Sequence, residues 1–402
     1  MKICGIICEY NPFHNGHAYL IERVKKESDC DAVVCVMSGN FTQRGEPAFL
    51  GKYTRARHAL LAGADAVLEL PAVFALSPAE IFARGAVKIL SSIPAFEALA
   101  FGCVTDSKTL LHDAARITAA ESEQHRAALR GQLRAGVSLT RARTEALMQT
   151  GRADLAAFLR SPNNILGTEY KKSLDFYECR ANILPILRKG AAHTDALPRG
   201  NIASASAIRA AVRSGQQESI APCVPSYVLN DLQYFADDAI FKKFAHLTAL
   251  TADADTLSRI IDCTEGLENR IKSCAREADG FDSLIGAVTT KRYISSRIRR
   301  ILASAVLGIG ASLVRAALEE PLYLKILALR KSRAEELLRE FGRSKFPILA
   351  RQNEIKSLKG AAAEAYRKDL LAGHVYRLCC KAPEKEQLLP VMGETNSEFH
   401  PL

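Results

Sequence analysis

Short apolar runs alternate with amphipathic segments over the first hundred residues, and this alternation constrains the fold more than any other feature of the sequence. The runs KICGIIC, DAVVCVMSG, DAVLELP and FEALAFGC are each long enough for one buried strand, and helix-like segments separate them. Strands that are apolar along their whole length and separated by helices are typical of a parallel sheet covered on both faces. The sequence therefore predicts an α/β fold for this part of the chain.

Two changes of pattern divide the rest of the sequence. Residues 107–160 are rich in Ala, Arg, Glu and Leu at helical spacing, which predicts a helical insertion before the strand and helix signals resume. After Pro222 and Pro225 the strand signals fade, and residues 226–370 have helical spacing almost throughout. We therefore expect an α/β domain over residues 1–222 and a mostly α-helical domain over residues 223–402, with an irregular polar end.

Composition limits the class of protein. The 402 residues carry a net charge of +10, which is weak support for a polyanionic partner. The eleven cysteines include no CxxC pair, so the sequence predicts no metal site, and free thiols fit a reducing cytoplasm. No secretory leader is expected, and the apolar run ILASAVLGIGASLV, flanked by arginines, predicts a buried helix rather than a membrane span.

The stretch FHNGH follows the first predicted strand and begins the first predicted helix. Gly16 lets the backbone approach a ligand closely, and a helix N-terminus offers free N–H groups and partial positive charge. Nucleotides bind at this edge of parallel sheets. Imidazoles there can stabilise the charge that develops when an α-phosphate is attacked. A lone histidine would more often be a core or capping residue, but His14 and His17 together favour catalysis.

The hexamer SASAIR supports the same interpretation. It comes after the last predicted strand and begins a helix, so Ser204 and Ser206 can cap the helix while Arg209 binds phosphate oxygens. Alone it would be an ordinary serine-rich cap. Together with FHNGH it predicts a phosphate site built from two helix N-termini.

These motifs carry a resemblance. H-x-G-H followed by S-x-S-x-I-R resembles the HxGH nucleotidylyltransferase superfamily, which has a Rossmann-like parallel sheet and attacks the α-phosphate of nucleoside triphosphates. The set GIICEYNPFHNGH, VMSGNFTQRGEPA, GADAVLELP, SPNNILG and SASAIR is similar to the bacterial tRNA(Met) cytidine acetate ligase family. The resemblance is strong over residues 1–220 and weaker over the helical remainder.

The resemblance implies a two-step ligase. Acetate attacks ATP, acetyl-adenylate forms and pyrophosphate leaves, and the acetyl group passes to N4 of the wobble cytidine, C34, of elongator tRNA(Met). Because acetate is itself the nucleophile, no catalytic serine or cysteine is required, and catalysis is mostly positioning and charge neutralisation. A magnesium ion is expected on the triphosphate, held largely by phosphates and water.

The resemblance also assigns residues. His14 and His17 are the expected catalytic pair. The expected ATP-binding residues are Ile7, Cys8, Glu9, Tyr10, Asn11, Pro12, Phe13, His14, Asn15, Gly16, His17, Ala18, Tyr19, Leu20, Gly102, Asn163, Arg188, Ser204, Ser206 and Arg209. Three of them have simpler alternatives: Gly102 as a turn, Asn163 as an Asx-turn and Arg188 as a solvated strand end.

The segment SGNFTQRGEP has no apolar periodicity although it follows a predicted strand. A loop at this edge can form a wall of the site, with Gln43 and Arg44 facing acetate or the tRNA; the alternative is a structural loop. Lys52 and Arg55, just beyond it, are expected on a helix face rather than in the site.

The helical half contains the basic stretch TTKRYISSRIRRI. Its Lys291, Arg292, Arg297, Arg299 and Arg300 can bind phosphates, and Tyr293 can stack on an unpaired base, so we expect tRNA to bind here, on the same side as His14. The alternative is a solvated helix face. A second, weaker candidate is SKFPILARQNEIK, with Lys345, Arg351 and Lys356.

Two other functions share part of this pattern. A nucleotidylyltransferase acting on a small cofactor precursor uses the same histidine chemistry, but has no need of a basic helical half. A nucleotide-gated RNA-binding protein without catalysis has no need of two histidines. The sequence leaves oligomeric state and the acetate contacts undetermined.

Overall fold

A computed structural model describes residues 1–120, 122–188, 201–380 and 383–395. Within these ranges seven strands form one sheet in the order β5-β4-β1-β2-β3-β6-β7. Their bounds are β1 Ile3–Cys8, β2 Ala32–Ser38, β3 Ala66–Leu70, β4 Phe96–Cys103, β5 Asn182–Leu187, β6 Ile326–Arg330 and β7 Val391–Gly393. The first five strands are parallel, which confirms the predicted α/β, Rossmann-like sheet.

Helices connect the parallel strands and form the predicted insertion. The α-helices of the first half are α1 Asn15–Glu27, α2 Lys52–Leu61, α3 Ala72–Ala75, α4 Ala79–Ser91, α5 Lys108–Ala119, α6 Glu123–Arg134, α7 Leu139–Gln149, α8 Ala153–Phe158, α9 Pro162–Phe176, α10 Ala205–Arg213 and α11 Gln217–Ile220. Helices α5 to α8 are the insertion. It leaves the sheet after β4 and returns to it through α9 and β5.

The second half is mostly helical, as predicted. Its α-helices are α12 Ser226–Asp231, α13 Ala239–Thr251, α14 Ala254–Ser258, α15 Leu267–Glu277, α16 Phe281–Val288, α17 Ser295–Leu307, α18 Ala311–Glu319, α19 Ala334–Phe341, α20 Gln352–Ser357 and α21 Gly360–Arg377. Three 3-10 turns span Ala221–Cys223, Leu232–Tyr234 and Lys331–Arg333. The run ILASAVLGIGASLV is two helices, because Gly308 takes a left-handed conformation between α17 and α18.

In the described ranges no single helix is long and apolar enough to cross a membrane. Helices α17 and α18 meet the length and composition test only as a pair, and they are bent by 88°.

Strands β6 and β7 lie in the second half, for which the sequence predicts a mostly α-helical domain. Strand β6 pairs antiparallel with β3, and β7 pairs parallel with β6, so both extend the sheet of the first half. The run ILALR is only five residues long, and periodicity cannot separate so short a strand from a buried helical turn. The division at residue 222 stays a prediction, and the sheet continues across it.

The side chains of the strands alternate between two cores. Val34, Val36 and Leu68 point to the face covered by α3, α4 and α9, and this core continues into helices α13 to α18. Val33 and Cys35 point to the opposite face, covered by α1, α2, α10 and α12. The sheet is therefore covered on both faces, so its strand ends are the places where ligands reach the backbone.

Lys52 and Arg55 lie on α2, as the sequence predicts, and on its buried side. Both side chains are buried. The Lys52 ammonium contacts Glu69 of β3 at 2.9 Å and Glu386 of the C-terminal segment at 2.9 Å. Burial alone would lower the pKa of Lys52, but the two carboxylates outweigh it and raise that pKa. The C-terminal segment therefore helps to balance a charge inside the first half.

Replacing Lys52 tests this buried cluster. Lys52→Met leaves the carboxylates of Glu69 and Glu386 without their main cation, so we expect a loss of about 3–5 kcal/mol in the free energy of unfolding, measured with urea. Lys26→Met is the matched control, because Lys26 pairs with Glu22 at 2.5 Å on an exposed surface; it should cost less than about 1 kcal/mol. Equal losses in the two variants would contradict the account.

Candidate active site

A cavity of about 250 Å3 opens at the carboxyl ends of β1, β4 and β5. The N-termini of α1, α9 and α10 surround it. The expected ATP-binding residues that line it are Ile7, Cys8, Glu9, Tyr10, Asn11, His14, Gly16, His17, Tyr19, Leu20, Gly102, Asn163, Arg188, Ser204, Ser206 and Arg209. Ile7 and Arg209, which are 202 residues apart in the sequence, thus meet at one edge of the sheet.

The two histidines are held by the first turn of α1. The Gly16 N–H donates to Nδ1 of His14 at 3.1 Å, and the His14 N–H donates to Nδ1 of His17 at 3.3 Å. The rings stack with centroids 3.6 Å apart. A β-carbon on Gly16 would lie 3.0 Å from Cε1 of His14, so glycine makes room for the His14 ring itself.

This arrangement fixes which nitrogen of each ring is a donor. An Nδ1 atom that accepts an N–H bond has no proton of its own, so the proton of each neutral ring lies on Nε2. Both rings therefore offer an Nε2–H group, and both line the cavity. Two such donors beside the N-terminus of α1 suit phosphate oxygens.

Four of the expected ATP-binding residues do not line the cavity: Pro12, Phe13, Asn15 and Ala18. Phe13 is fully buried and contacts the ring of Tyr10. Asn15 donates to the carbonyl oxygens of Asn201 and Pro222 at 2.9 and 2.8 Å. Phe13 and Asn15 therefore hold the turn between β1 and α1 in place, so these two residues of FHNGH have a structural role.

The structure also adds lining residues that the sequence analysis did not select. They are Ile6, Phe82, Phe101, Leu166, Tyr170, Ile186, Leu187, Ile202 and Ala205, in addition to Gln43 and Arg44, which the sequence already places at a wall of the site. Most are apolar side chains on strands or helices, and in the sequence they cannot be distinguished from core residues. Phe101 directly precedes Gly102 at the end of β4, which is the one local signal that favours it.

The SASAIR segment lies where the sequence predicts it. Ser204 caps α10, because its Oγ accepts the Ala207 N–H at 3.1 Å, and it lies 3.0 Å from the Ser206 hydroxyl. Arg209 donates to the carbonyl oxygen of Asn11 at 2.6 Å, and burial lowers the pKa of its guanidinium. One nitrogen of that guanidinium is thus hydrogen-bonded to the histidine turn, the segment between β1 and α1 that contains His14.

Gly102, Asn163 and Arg188 line the part of the cavity next to the ends of β4 and β5. The Asn163 amide donates to the Gly102 carbonyl at 2.8 Å, and Asn163 lies in the first turn of α9. A β-carbon on Gly102 would lie 3.1 Å from Cγ of Arg188, so the glycine makes room for that side chain. Burial lowers the pKa of Arg188, which makes no ion pair within the described ranges. Roles for these three residues in nucleotide binding stay predictions.

A partly buried carboxylate joins the histidine turn to the predicted loop. Glu9 Oε1 accepts the Gln43 N–H at 2.8 Å and the Ser38 hydroxyl at 3.1 Å, while burial raises the pKa of this carboxyl group. Arg55, beneath them, donates to the carbonyl oxygens of Glu9 and Ser38 at 2.6 and 3.0 Å. The loop is therefore fixed against the cavity.

Helix α17 supports the same loop from outside. Gly45 has a positive φ of 75°, and a β-carbon there would overlap the backbone of Arg299 and Arg300. Arg300 donates to the Gln43 carbonyl at 3.3 Å and pairs with Asp262 at 3.1 Å. The basic helix thus reaches the wall of the cavity that contains His14, the position expected for it.

The arginines of α17 and its N-terminal flank are not a free basic patch. Arg297 and Arg300 pair with Asp262, Arg299 with Asp282, and Arg292 with Glu265. The aromatic ring of Tyr293 lies between arginines, 5.3 Å from Arg297 and 6.0 Å from Arg292. Lys291 is exposed and makes no ion pair within the described residues. The stretch contains no acid of its own, and the neutralising carboxylates come from other segments.

The fold and the paired histidines define a nucleotidyl transferase of the HxGH type. A family model described as HIGH Nucleotidyl Transferase matches residues 1–389. Proteins named tRNA(Met) cytidine acetate ligase are similar to this chain: that of Thermoanaerobacter sp. (strain X514) is 36% identical over 388 residues, 95% of this chain and 96% of the relative. That of Acetivibrio thermocellus is 35% identical over 400 residues, with the same two coverages.

Solved structures agree. Thermotoga maritima TmcAL bound with alpha-thio ATP matches with a TM-score of 0.87 and 29% identity over 98% of this chain and 100% of that one. The apo form I of the same protein matches with a TM-score of 0.89, 30% identity and the same coverage. The chain therefore belongs to the tRNA(Met) cytidine acetate ligase family within the HIGH nucleotidyl transferases.

The contact between the loop and α17 is tested at Gly45. Gly45→Ala adds a β-carbon that overlaps the Arg299–Arg300 backbone, so we expect a loss of about 2–4 kcal/mol in the free energy of unfolding and faster amide exchange over residues 39–47. Gly136→Ala is the control, because Gly136 has a similar φ of 79° with open space around it; it should cost about 1 kcal/mol. If both variants lose the same stability and the loop amides exchange as in the wild type, the contact does not hold the loop.

Proposed function

We propose that this protein activates acetate with ATP and transfers the acetyl group to N4 of the wobble cytidine, C34, of elongator tRNA(Met). The observation that carries the proposal is that His14, His17, Ser204 and Arg209 line one cavity in a chain of this family. Relatives over nearly the whole chain have the name tRNA(Met) cytidine acetate ligase, and a similar structure contains an ATP analogue.

The first step is attack on the α-phosphate. An acetate oxygen bonds to phosphorus, the bond to pyrophosphate breaks, and acetyl-adenylate remains. The Nε2–H groups of His14 and His17 and the N-terminus of α1 stabilise the added negative charge, while Ser206 and Arg209 hold phosphate oxygens at α10. No protein nucleophile takes part, so the rate depends on positioning and charge.

Arg44 is the candidate for guiding acetate or the outgoing pyrophosphate. It lines the cavity, is exposed and makes no ion pair within the described residues. A magnesium ion would accompany the triphosphate, held mainly by phosphates and water. Among the described residues no group of three or more His, Cys, Asp or Glu side chains is placed to hold a metal ion.

The second step brings RNA to the acyl group. The cytidine amine attacks the carbonyl carbon, the bond to the bridging oxygen breaks, and AMP leaves. Residues 1–222 would supply the adenylating site and residues 223–402 part of the tRNA surface. Because Arg300 also fixes the Gln43 loop, we expect neutralisation of Arg297, Arg299 and Arg300 to impair both steps.

One assay tests the whole proposal. Purified protein is incubated with ATP, labelled acetate and total tRNA, and the tRNA is digested to nucleosides. The expected label is in N4-acetylcytidine from elongator tRNA(Met). Pyrophosphate exchange into ATP that acetate does not stimulate would favour transfer to a small cofactor precursor instead. Nucleotide-sensitive RNA binding without any exchange would favour a non-catalytic protein.

The histidine pair makes a sharper test of the first step. His14→Ala and His17→Ala should each lower acetate-dependent ATP–pyrophosphate exchange by at least about 100-fold, because each removes a donor that acts on developing charge. Binding of tRNA should stay at the wild-type level, which a filter assay measures. His112→Ala, at an exposed position in α5, is the control and should change neither. Exchange that survives both active-site substitutions would refute the catalytic role.

A further inference from the structure

Helix α6 of the insertion carries a row of arginines on its outer face. Arg126, Arg130 and Arg134 are spaced by four residues, so they follow one another along one side of the helix at steps of about 6 Å. All three are exposed. His125 and Leu129, on an adjacent side of the helix, are buried.

None of these three arginines forms an ion pair within the described ranges, in contrast to the arginines of α17. Like charges four residues apart destabilise a helix, because the side chains are neighbours. Within the described ranges no carboxylate forms an ion pair with these three side chains, and Glu123, in the first turn, is the one acid of α6 itself. Arg141 adds another exposed cation that forms no ion pair within those ranges, in the first turn of α7. A polyanion bound to this face would remove the repulsion.

The insertion is anchored at the rim of the cavity. It begins after Gly102 and ends at Asn163, and these two residues are joined by the 2.8 Å hydrogen bond. Asn164 accepts the Val104 N–H at 3.2 Å and donates to the Phe158 carbonyl at 3.1 Å. The two ends of the segment that carries α6 are therefore joined to each other at the rim of the cavity.

We propose that the arginine face of α6, formed by Arg126, Arg130 and Arg134, binds the phosphate backbone of the RNA substrate. The identity of the bound molecule, tRNA, rests on the proposed function. Guanidinium groups make two-pronged hydrogen bonds to phosphate, and a row of them follows a phosphate chain without reading sequence. The surface fits RNA better than a membrane, because the apolar residues of α6 pack against Ala142 and Ala146 of α7 and are not available to lipid.

The test is a triple variant, Arg126→Gln, Arg130→Gln and Arg134→Gln. We expect the Kd for tRNA to rise at least about tenfold at 0.1 M salt, and the slope of log K against log salt to become shallower by about two to three. The KM for tRNA should rise in parallel. Acetate-dependent ATP–pyrophosphate exchange without tRNA should stay at the wild-type level, which also shows that the variant is folded.

Two control variants test whether tRNA binding depends on the position of the arginines and on their charge. Arg339→Gln, Arg343→Gln and Arg367→Gln remove the same charge from side chains that are 62%, 61% and 67% exposed, and they should leave tRNA binding within about twofold of wild type. Arg126→Lys, Arg130→Lys and Arg134→Lys keep the charge and should restore most of the affinity.

The outcomes separate this inference from the proposed function. If wild-type protein acetylates tRNA and the α6 triple variant binds tRNA like the Arg339, Arg343 and Arg367 control, the inference is overturned while the proposed function stands. If the α6 variant instead loses binding only to anionic phosphatidylserine vesicles, the face is a membrane contact and the inference is likewise overturned. If wild-type protein acetylates no tRNA and shows no acetate-dependent exchange, the proposed function fails first.

Discussion

The site depends on one buried guanidinium. Arg55 is fully buried and donates to the carbonyl oxygens of Leu50, Glu9 and Ser38 at 2.9, 2.6 and 3.0 Å, and to that of Gly39. It meets backbone dipoles rather than a carboxylate, and burial lowers its pKa. A buried charge is tolerated only when its donors are satisfied, so the chain around it must keep this shape. The ends of β1 and β2 are therefore fixed relative to each other.

The turn that contains His14 and the loop that contains Gln43 both build on that junction. Glu9 leads into the histidine turn and holds the Gln43 loop, Arg209 holds the turn from α10, and Arg300 holds the loop from α17. Donors placed before the substrate arrives do not need to reorganise when charge develops, which is the main source of electrostatic catalysis. The helical half thus contributes to the adenylating site as well as to the surface beside it.

The sequence was sufficient for the parts of the molecule that depend on local pattern. Apolar runs predicted β1 to β4, and FHNGH and SASAIR predicted the two helix N-termini, because strand periodicity and capping chemistry are short-range. The buried ion pair of Lys52 was not predicted, because its partner Glu386 lies 334 residues away in the sequence. The arginines of α17 looked free for the same reason, since Asp262 and Asp282 come from other segments. Ion pairs between segments that are far apart in the sequence form only when the chain packs, so local sequence pattern does not reveal them.

Oxygen labelling is the sharpest test of whether acetate attacks the α-phosphate of ATP in this cavity. Acetate that carries 18O in both oxygens is supplied with ATP and tRNA, and the AMP released is analysed by mass spectrometry. Each AMP should contain one 18O, because the bridging oxygen of acetyl-adenylate stays on phosphorus when the acetyl group leaves. Unlabelled AMP, or ADP as the nucleotide product, would contradict attack by acetate.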